Sequence, residues 1–357
     1  MTRGDRLTEV VRERELSALV VTNLENVHYL SGYTGTNGVA VVGAEGQRDF
    51  FTDFRYLERA EVEVRDFERL RGKRDLLGDA AERLSAGRVG FEEEHMSVRS
   101  HRRFEGLVPE GVELVGVHGL VEGLREVKEE GELAIIRRAA ALADDALAEA
   151  LEGGLAGRTE REFAMALEDG FRARGAEPSF ESIVASGPNG SLPHAEPGDT
   201  VIAEDVLVTV DYGAKIDGYC SDCTRTFATG EVGAEAREVY ELVRAAQAAA
   251  GEAIRAGLGC KEADSIARAV IDDAGHAEHF GHGLGHGVGL EVHEGPRLTP
   301  AASEEETLVA GNVVTVEPGV YLPGRLGVRI EDLVVVTEDG SEVLSQLPKD
   351  LTVVGET

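Results

Sequence analysis

The sequence predicts a two-domain α/β (α+β) protein: a smaller α/β domain over residues 1–121 and a larger domain over 122–357 that is built twice from one plan. Two observations carry this. In the first third, short apolar runs alternate with helical segments. In the rest, an Ala-rich helix, a second helix and a strand pair occur in the same order twice, and the strand pairs begin with nearly the same words, VTVDYG at Val208–Gly213 and VTVEPG at Val314–Gly319. A chain of 357 residues with 42% apolar residues is long for one domain and can bury a core in each of two.

Taken in order, Leu7–Leu16 has helical periodicity, and ALVVT (Ala18–Thr22), GVAVV (Gly38–Val42) and DFFT (Asp49–Thr52) read as short buried strands. Phe54–Val64 is helical again, and Arg88–Phe91 and Val112–Val115 add two strands. The charged stretch LREVKEEGE leads into a long helix over Glu129–Gly153, with Ala, Leu and Ile on one stripe, stopped by Gly153-Gly154. Thr159-x-x-Glu162 is a capping box opening a helix that runs to Gly175. Ala234–Ala256 is a second Ala-rich helix, broken at Gly257.

Shifts of 103, 106 and 109 residues align Gly154-Leu155 with Gly257-Leu258, VTVDYG with VTVEPG, and Asp222 with Glu331. Small insertions account for the drift, so the repeat reads as an internal duplication.

Composition narrows the function classes. Asp plus Glu is 67 against 36 for Lys plus Arg, a formal charge of −31. Nucleic acid and anionic membrane surfaces are bound through basic patches, so neither is expected as a partner. No apolar run approaches the ~18 residues of a membrane span, and MTRGDRLTEVVRERE has no apolar signal-peptide core. Three cysteines are no disulfide framework. Cys220-x-x-Cys223 lies in a strand-like run where i and i+3 face opposite ways, so it reads as two structural cysteines suited to a reducing cytoplasm.

The chemistry sits in the repeated strand pairs. With a turn centred on Ile216-Asp217, Asp211 and Asp222 are directly opposite; centred on Asp217-Gly218, they are diagonal neighbours. Side-chain period is 2, so both carboxylates share one face in either register. Glu317 and Glu331 pair in the same way across a turn centred on Gly324. Four carboxylates on one surface need protons, arginines or cations, and the neighbouring Arg225 and Arg329 cannot neutralise four. Two divalent cations would. A further ligand is expected from FGHGLGHGVGL (Phe280–Leu290), in a stretch carrying His279, His282, His286 and His293. There is no dinucleotide fingerprint, Walker lysine, H-E-x-x-H or G-x-S-x-G.

The words DYGAKIDGYCSDCTRTF, FGHGLGHGVGLEVHEGP, TVEPGVYL and GVRIEDL resemble the M24 metallopeptidase family, in its Xaa-Pro branch of aminopeptidase P and Xaa-Pro dipeptidase (prolidase). NVHYLSGYTG and FFTDFRYLERA resemble the N-terminal domain of that branch and of creatinase, so the resemblance spans nearly the whole chain. It implies the pita-bread fold for the catalytic domain, a pseudo-twofold duplication. It implies Asp211, Asp222, His286, Glu317 and Glu331 as ligands of two metal ions, Asp222 and Glu331 bridging, Asp211 on one ion, His286 and Glu317 on the other. The expected ions are Mn²⁺ or Co²⁺, with Zn²⁺ or Fe²⁺ as alternatives.

By the same resemblance His194, His282 and His293 are catalytic and substrate-side histidines, Phe180 lines the pocket, Arg297 holds a substrate carboxylate as in some prolidases, and Arg329 supports a ligating carboxylate. His276 and His279 stay structural. The implied reaction is hydrolysis of an Xaa-Pro bond by a metal-bridging hydroxide, with Glu317 as proton shuttle and His282 and His293 steadying the oxyanion. The implied setting is a cytoplasmic homodimer acting on peptides with proline second. Aminopeptidase P and prolidase remain alternatives, as do a methionine-aminopeptidase-like or broader aminopeptidase and a non-catalytic binding module on the same fold; creatinase uses no metal and lacks the ligand set.

Overall fold

The computed structural model describes residues 1–73 and 75–355, so the last two residues of the expected second domain lie outside it. The chain divides into two compact units, Met1–Arg125 and Glu126–Thr357.

The first unit runs α1 (Arg3–Glu13), β1 (Ala18–Val21), α2 (Leu24–Ser31), β2 (Val39–Gly43), β3 (Arg48–Thr52), α3 (Leu57–Glu63), β4 (Glu68–Arg71), α4 (Leu76–Ala81), β5 (Gly87–Glu92), α5 (Val98–Glu105), β6 (Val112–Val117) and α6 (Glu122–Arg125). Its sheet has the order β4-β3-β2-β1-β5-β6. The β1–β2 and β2–β3 pairs are antiparallel, while β3–β4, β1–β5 and β5–β6 are parallel.

The predicted strands of this unit form because each is a near-continuous β-branched or aromatic run, buried along β1 and β2. Two differences have simple causes. The helix predicted from Phe54 begins only at Leu57, because Asp53 accepts from the backbone N–H of Arg55 at 2.9 Å and turns the chain, leaving Phe54 70% exposed. Strand β4 was not foreseen: its residues ERLR lie at the sheet edge and carry no apolar alternation.

The second unit repeats itself. Its first half is α7 (Glu130–Glu152), α8 (Glu160–Ala173), β7 (Glu177–Pro178), β8 (Ile183–Ser186), β9 (Leu207–Tyr212), β10 (Ala214–Ile216), β11 (Tyr219–Cys220) and β12 (Cys223–Ala228). Its second half is α9 (Ala234–Ala253), α10 (Cys260–Asp273), β13 (Gly285–Gly287), β14 (Glu294–Leu298), β15 (Val313–Val316), β16 (Gly319–Leu322), β17 (Leu326–Arg329), β18 (Asp332–Val336) and β19 (Ser341–Val343). The central strand β9 lies between β8 and β12, as β15 lies between β13 and β18, all antiparallel. The capping box at Thr159 and Glu162 is formed; Gly154, just past the cap of α7, takes positive φ (73°), whereas α9 stops at Ala253, short of the expected Ala256, and Gly257 (φ 82°) belongs to the turn that follows.

Each half buries one face of its strands against its own helices. Val208, Val210 and Tyr212 pack with Leu147, Phe163 and Leu167 from α7 and α8. Val314 and Val316 pack with Val243, Ala246 and Ile271 from α9 and α10. Strand alternation therefore turns Thr209 and Asp211, and Thr315 and Glu317, away from those cores.

A carboxylate cluster between two strand pairs

The register of each strand pair decides where its carboxylates stand. Thr224 is opposite Asp211, and Ile216 opposite Tyr219, so the turn is Asp217-Gly218, the second of the two sequence options. Both turn residues have positive φ (51° and 89°), the signature of a type I′ turn that suits the twist of a hairpin. Asp222 is thus the diagonal neighbour of Asp211 on one face. In the second pair, Gly319 is opposite Arg329 and Val316 opposite Asp332, which places Glu317 against Glu331 about Gly324 as the sequence indicates.

The two pairs are then stitched together. Glu331 N donates to Thr224 O (3.0 Å), Thr226 Oγ1 donates to Arg329 O (2.9 Å), and Thr224 Oγ1 donates to Glu331 Oε2 (2.7 Å).

This stitching brings one carboxylate oxygen each of Asp211, Asp222 and Glu331 within 4.8 Å of one another. His286 Nε2 stands 3.7 Å from Asp222 and 3.3 Å from Glu317. The five residues matched by the family resemblance therefore form one chain of neighbours. They line a cavity of about 490 Å³ together with Phe180, His194, His282, His293, Arg297 and Arg329.

Electrostatics in this cluster are unfavourable without a cation. Burial, and then the neighbouring Glu331 and Asp211 charges, push the Asp222 carboxyl well above its usual range. Burial, Glu317 and Asp211 do the same to Glu331. Burial raises Asp211 too, against the pull of Arg329, whose Nη2 donates to Asp211 Oδ2 at 2.6 Å. At Glu317 burial also pushes upward, but the hydrogen bond and charge of His286 outweigh it and bring the carboxyl to about 2.

The donor set fits a divalent metal. Two buried oxygens, Asp211 Oδ1 and Glu331 Oε1, have no hydrogen-bond partner, which is costly unless something outside the chain satisfies them. His286 Nδ1 is 3.1 Å from Gly287 O. Donation there leaves Nε2 facing two carboxylates: a proton on it gives Glu317 the hydrogen bond and charge that lower its pKa, and a cation taking that proton's place would find in Nε2 a ligand.

The remaining expected residues separate. Arg329 is buried and supports more than Asp211: Nε donates to Thr224 Oγ1 (3.0 Å) and Nη1 to Tyr321 Oη (3.0 Å) and Pro193 O (3.2 Å). Arg225, named beside it in the sequence, faces elsewhere, pairing with Asp332 at 2.8 Å and donating to Leu347 O. Parity explains this: Arg329 is two residues from Glu331, whereas Arg225 is three from Asp222.

His282 has both ring nitrogens engaged, Nδ1 with Gly283 O (2.8 Å) and Nε2 with Tyr321 Oη (2.9 Å). With Nδ1 donating to that carbonyl, Nε2 accepts from the tyrosine and no N–H remains for a substrate oxygen. Burial holds its pKa down. His293 has its ring 4.4 Å from that of His286. Burial, then His286 and Arg297, lower its pKa to about 4, so it is neutral near pH 7. His276 and His279 contact each other, Nδ1 to Nδ1 at 3.2 Å, and do not line the cavity. Tyr321 and Thr224 were missed in the sequence because a lone Tyr or Thr in a strand carries no pattern. Cys220 and Cys223 are buried and unpaired, as read.

With this geometry in place, comparison with known proteins is informative. Residues 134–338 match Metallopeptidase family M24, and residues 3–127 match the Creatinase/Prolidase N-terminal domain. An uncharacterized peptidase of Bacillus subtilis is 39% identical over 98% of this chain and 99% of its own length. The structure of an Xaa-Pro dipeptidase from Bacillus anthracis superposes with a TM-score of 0.94 at 37% identity, covering 98% of this chain and 99% of that one. An X-Pro aminopeptidase structure from Thermotoga maritima gives 0.89 at 37% identity, covering 99% and 100%. Family match, relatives and strand-pair geometry agree: the chain belongs to metallopeptidase family M24 and carries a creatinase/prolidase N-terminal domain ahead of its peptidase domain.

Proposed function

We propose that this metallopeptidase is a dinuclear-metal exopeptidase that hydrolyses the bond between a first residue and a following proline, in dipeptides or at the start of longer peptides. The observation that supports it is the convergence of Asp211, Asp222 and Glu331 on a cavity wall with two buried acceptor oxygens unsatisfied. Asp211, Asp222, His286, Glu317 and Glu331 would hold two divalent ions. Four carboxylates and one imidazole suit Mn²⁺ or Co²⁺, and Zn²⁺ or Fe²⁺ are compatible. Such ions would supply Lewis acidity and lower the pKa of a water.

The other roles fall to side chains lining the cavity. Glu317 accepts the proton of the attacking water and passes it to the leaving imino nitrogen. His293, neutral and with a ring N–H, donates to the carbonyl oxygen as negative charge develops there. His282 serves instead by linking Tyr321 to the loop backbone. His194 faces the substrate, and Phe180 and Ile183 supply an apolar wall for a proline ring. Arg297, which lines the same cavity, would pair with the carboxylate of a dipeptide. The chain is read as a homodimer of a reducing cytoplasm. Buried free cysteines are in keeping with that compartment, and no helix among the described residues is long and apolar enough to cross a membrane.

The test is hydrolysis of Ala-Pro against Ala-Pro-Ala, with Mn²⁺, Co²⁺ and Zn²⁺ in turn. Cleavage of Ala-Pro alone assigns dipeptidase action, and cleavage of both assigns aminopeptidase action. A preference for Met-Ala-Ser over both would move the reading to a methionine-aminopeptidase-like enzyme. No turnover and no bound metal under any condition would sink it.

A further inference from the structure

We infer that Asp264 and Arg268, one turn apart on α10, are positioning residues that fix the Phe280–Leu284 segment so that His286 and Glu317 meet at the metal centre. The inference rests on the metallopeptidase reading above, but neither residue lines the cavity.

The segment before β13 has two glycines, Gly281 and Gly283, and belongs to no strand. The two glycines give its backbone conformational freedom, and Phe280 and Leu284 tie its ends to the core by their side chains, which leaves the backbone polar groups to be fixed. Three of its polar backbone groups are taken up by α10. Arg268 Nη1 donates to Phe280 O at 2.8 Å and Nη2 to His282 O at 2.7 Å. Leu284 N donates to Asp264 Oδ1 at 2.9 Å. The pair itself is bidentate, Nε to Oδ2 at 2.8 Å and Nη2 to Oδ1 at 2.9 Å, and the guanidinium lies 4.2 Å over the Phe280 ring. Asp264 is buried. An i,i+4 ion pair that only stabilised its helix would face solvent; this one turns inward and spends its remaining donors and acceptors on the loop.

Leu284 carries the constraint onward. Its N–H is held by Asp264, and its carbonyl accepts from Glu317 N at 2.8 Å. Two residues later His286 N donates to Thr315 Oγ1 (3.0 Å), which donates to Glu317 Oε1 (3.2 Å). The clamp thus reaches two of the expected ligands through one short run of backbone, and a fixed imidazole and carboxylate bind metal more tightly than mobile ones.

The test uses the full-length protein. Arg268→Met keeps an apolar stem over Phe280 and removes both carbonyl donors, Asp264→Ala removes the acceptor for Leu284 N–H, and Asp264→Asn retains an oxygen for it. Amide hydrogen exchange on metal-free protein should be at least tenfold faster at Leu284 and His286 in Arg268→Met and Asp264→Ala. Mn²⁺ affinity by calorimetry should fall about 10–100-fold, and Asp264→Asn should lose less than Asp264→Ala. Exchange and Mn²⁺ affinity both within twofold of the parent in a folded Arg268→Met or Asp264→Ala protein would overturn the inference. If Arg268→Met does not fold, equal losses in Asp264→Asn and Asp264→Ala would overturn it. A parent protein that binds no Mn²⁺ and cleaves neither peptide refutes the metallopeptidase reading instead, and the exchange comparison still judges the clamp.

Discussion

Replacing Glu331 by Gln should make the metal-free protein more stable and remove most of the stabilisation that metal brings. In the metal-free state Glu331 is buried, its Oε1 has no partner, and oxygens of Asp211 and Asp222 lie within 4.8 Å of its carboxylate. A buried acceptor left unmatched costs about 1–3 kcal/mol. Glutamine can keep the Thr224 bond through its oxygen and place its amide N–H groups where Oε1 now stands, facing the two aspartates. The gain should therefore be about 1–3 kcal/mol, or roughly 2–4 °C in unfolding midpoint per kcal/mol for a unit of this size. The parent, in contrast, should gain about 2.7 kcal/mol from metal at a hundred times its Kd, and the variant little of that. Differential scanning fluorimetry of both proteins, stripped and with Mn²⁺, reads all four states. A stripped variant less stable than the stripped parent, or an equal metal-induced shift in both, would refute the reasoning.

Other outcomes follow from the same structure. Asp222 and Glu331 hold protons more tightly folded than unfolded, so this pair favours the metal-free fold below the ordinary carboxylate pKa and that contribution is lost as pH rises through the raised values. Metal competes with those protons. Affinity should rise with pH from 5 upward, with proton release seen as a buffer-dependent calorimetric enthalpy. Asp332→Ala leaves the buried Arg225 guanidinium without its counter-charge and should cost about 3–5 kcal/mol in chemical denaturation. Gly285→Ala would drive a methyl into Thr315 backbone, displacing β13 from β15; about 1–3 kcal/mol and most metal affinity should be lost. Arg297→Ala should raise KM for Ala-Pro at least tenfold, with little change for Ala-Pro-Ala, in steady-state kinetics.

Much of the site was legible because strands alternate. Once VTVDYG and VTVEPG are read as strands leading into hairpins, period 2 alone puts Asp211 with Asp222 and Glu317 with Glu331 on common faces. The same rule separates Arg329 from Arg225. The duplicated order of helices and hairpins was also local information, carried by the Ala-rich stripes of α7 and α9, although only α7 stops at its glycines. Less legible were the edge strand β4, which has no apolar pattern, and the start of α3, which a single Asp side chain moved.

The sequence by itself thus determined the repeated elements and the faces of the carboxylates, since each depends on neighbours a few positions away, while the register of the first turn was settled by the structure. Tertiary structure decided which groups meet across more than a hundred residues: Thr224 with Glu331, Arg329 with Asp211, and Arg225 with Asp332. It also decided that His282 spends both nitrogens on Tyr321 and Gly283, and that Asp264 and Arg268 hold a loop rather than solvent. Such partners depend on how the two halves pack, and a hydrogen bond is made or missed by fractions of an ångström that no local periodicity encodes.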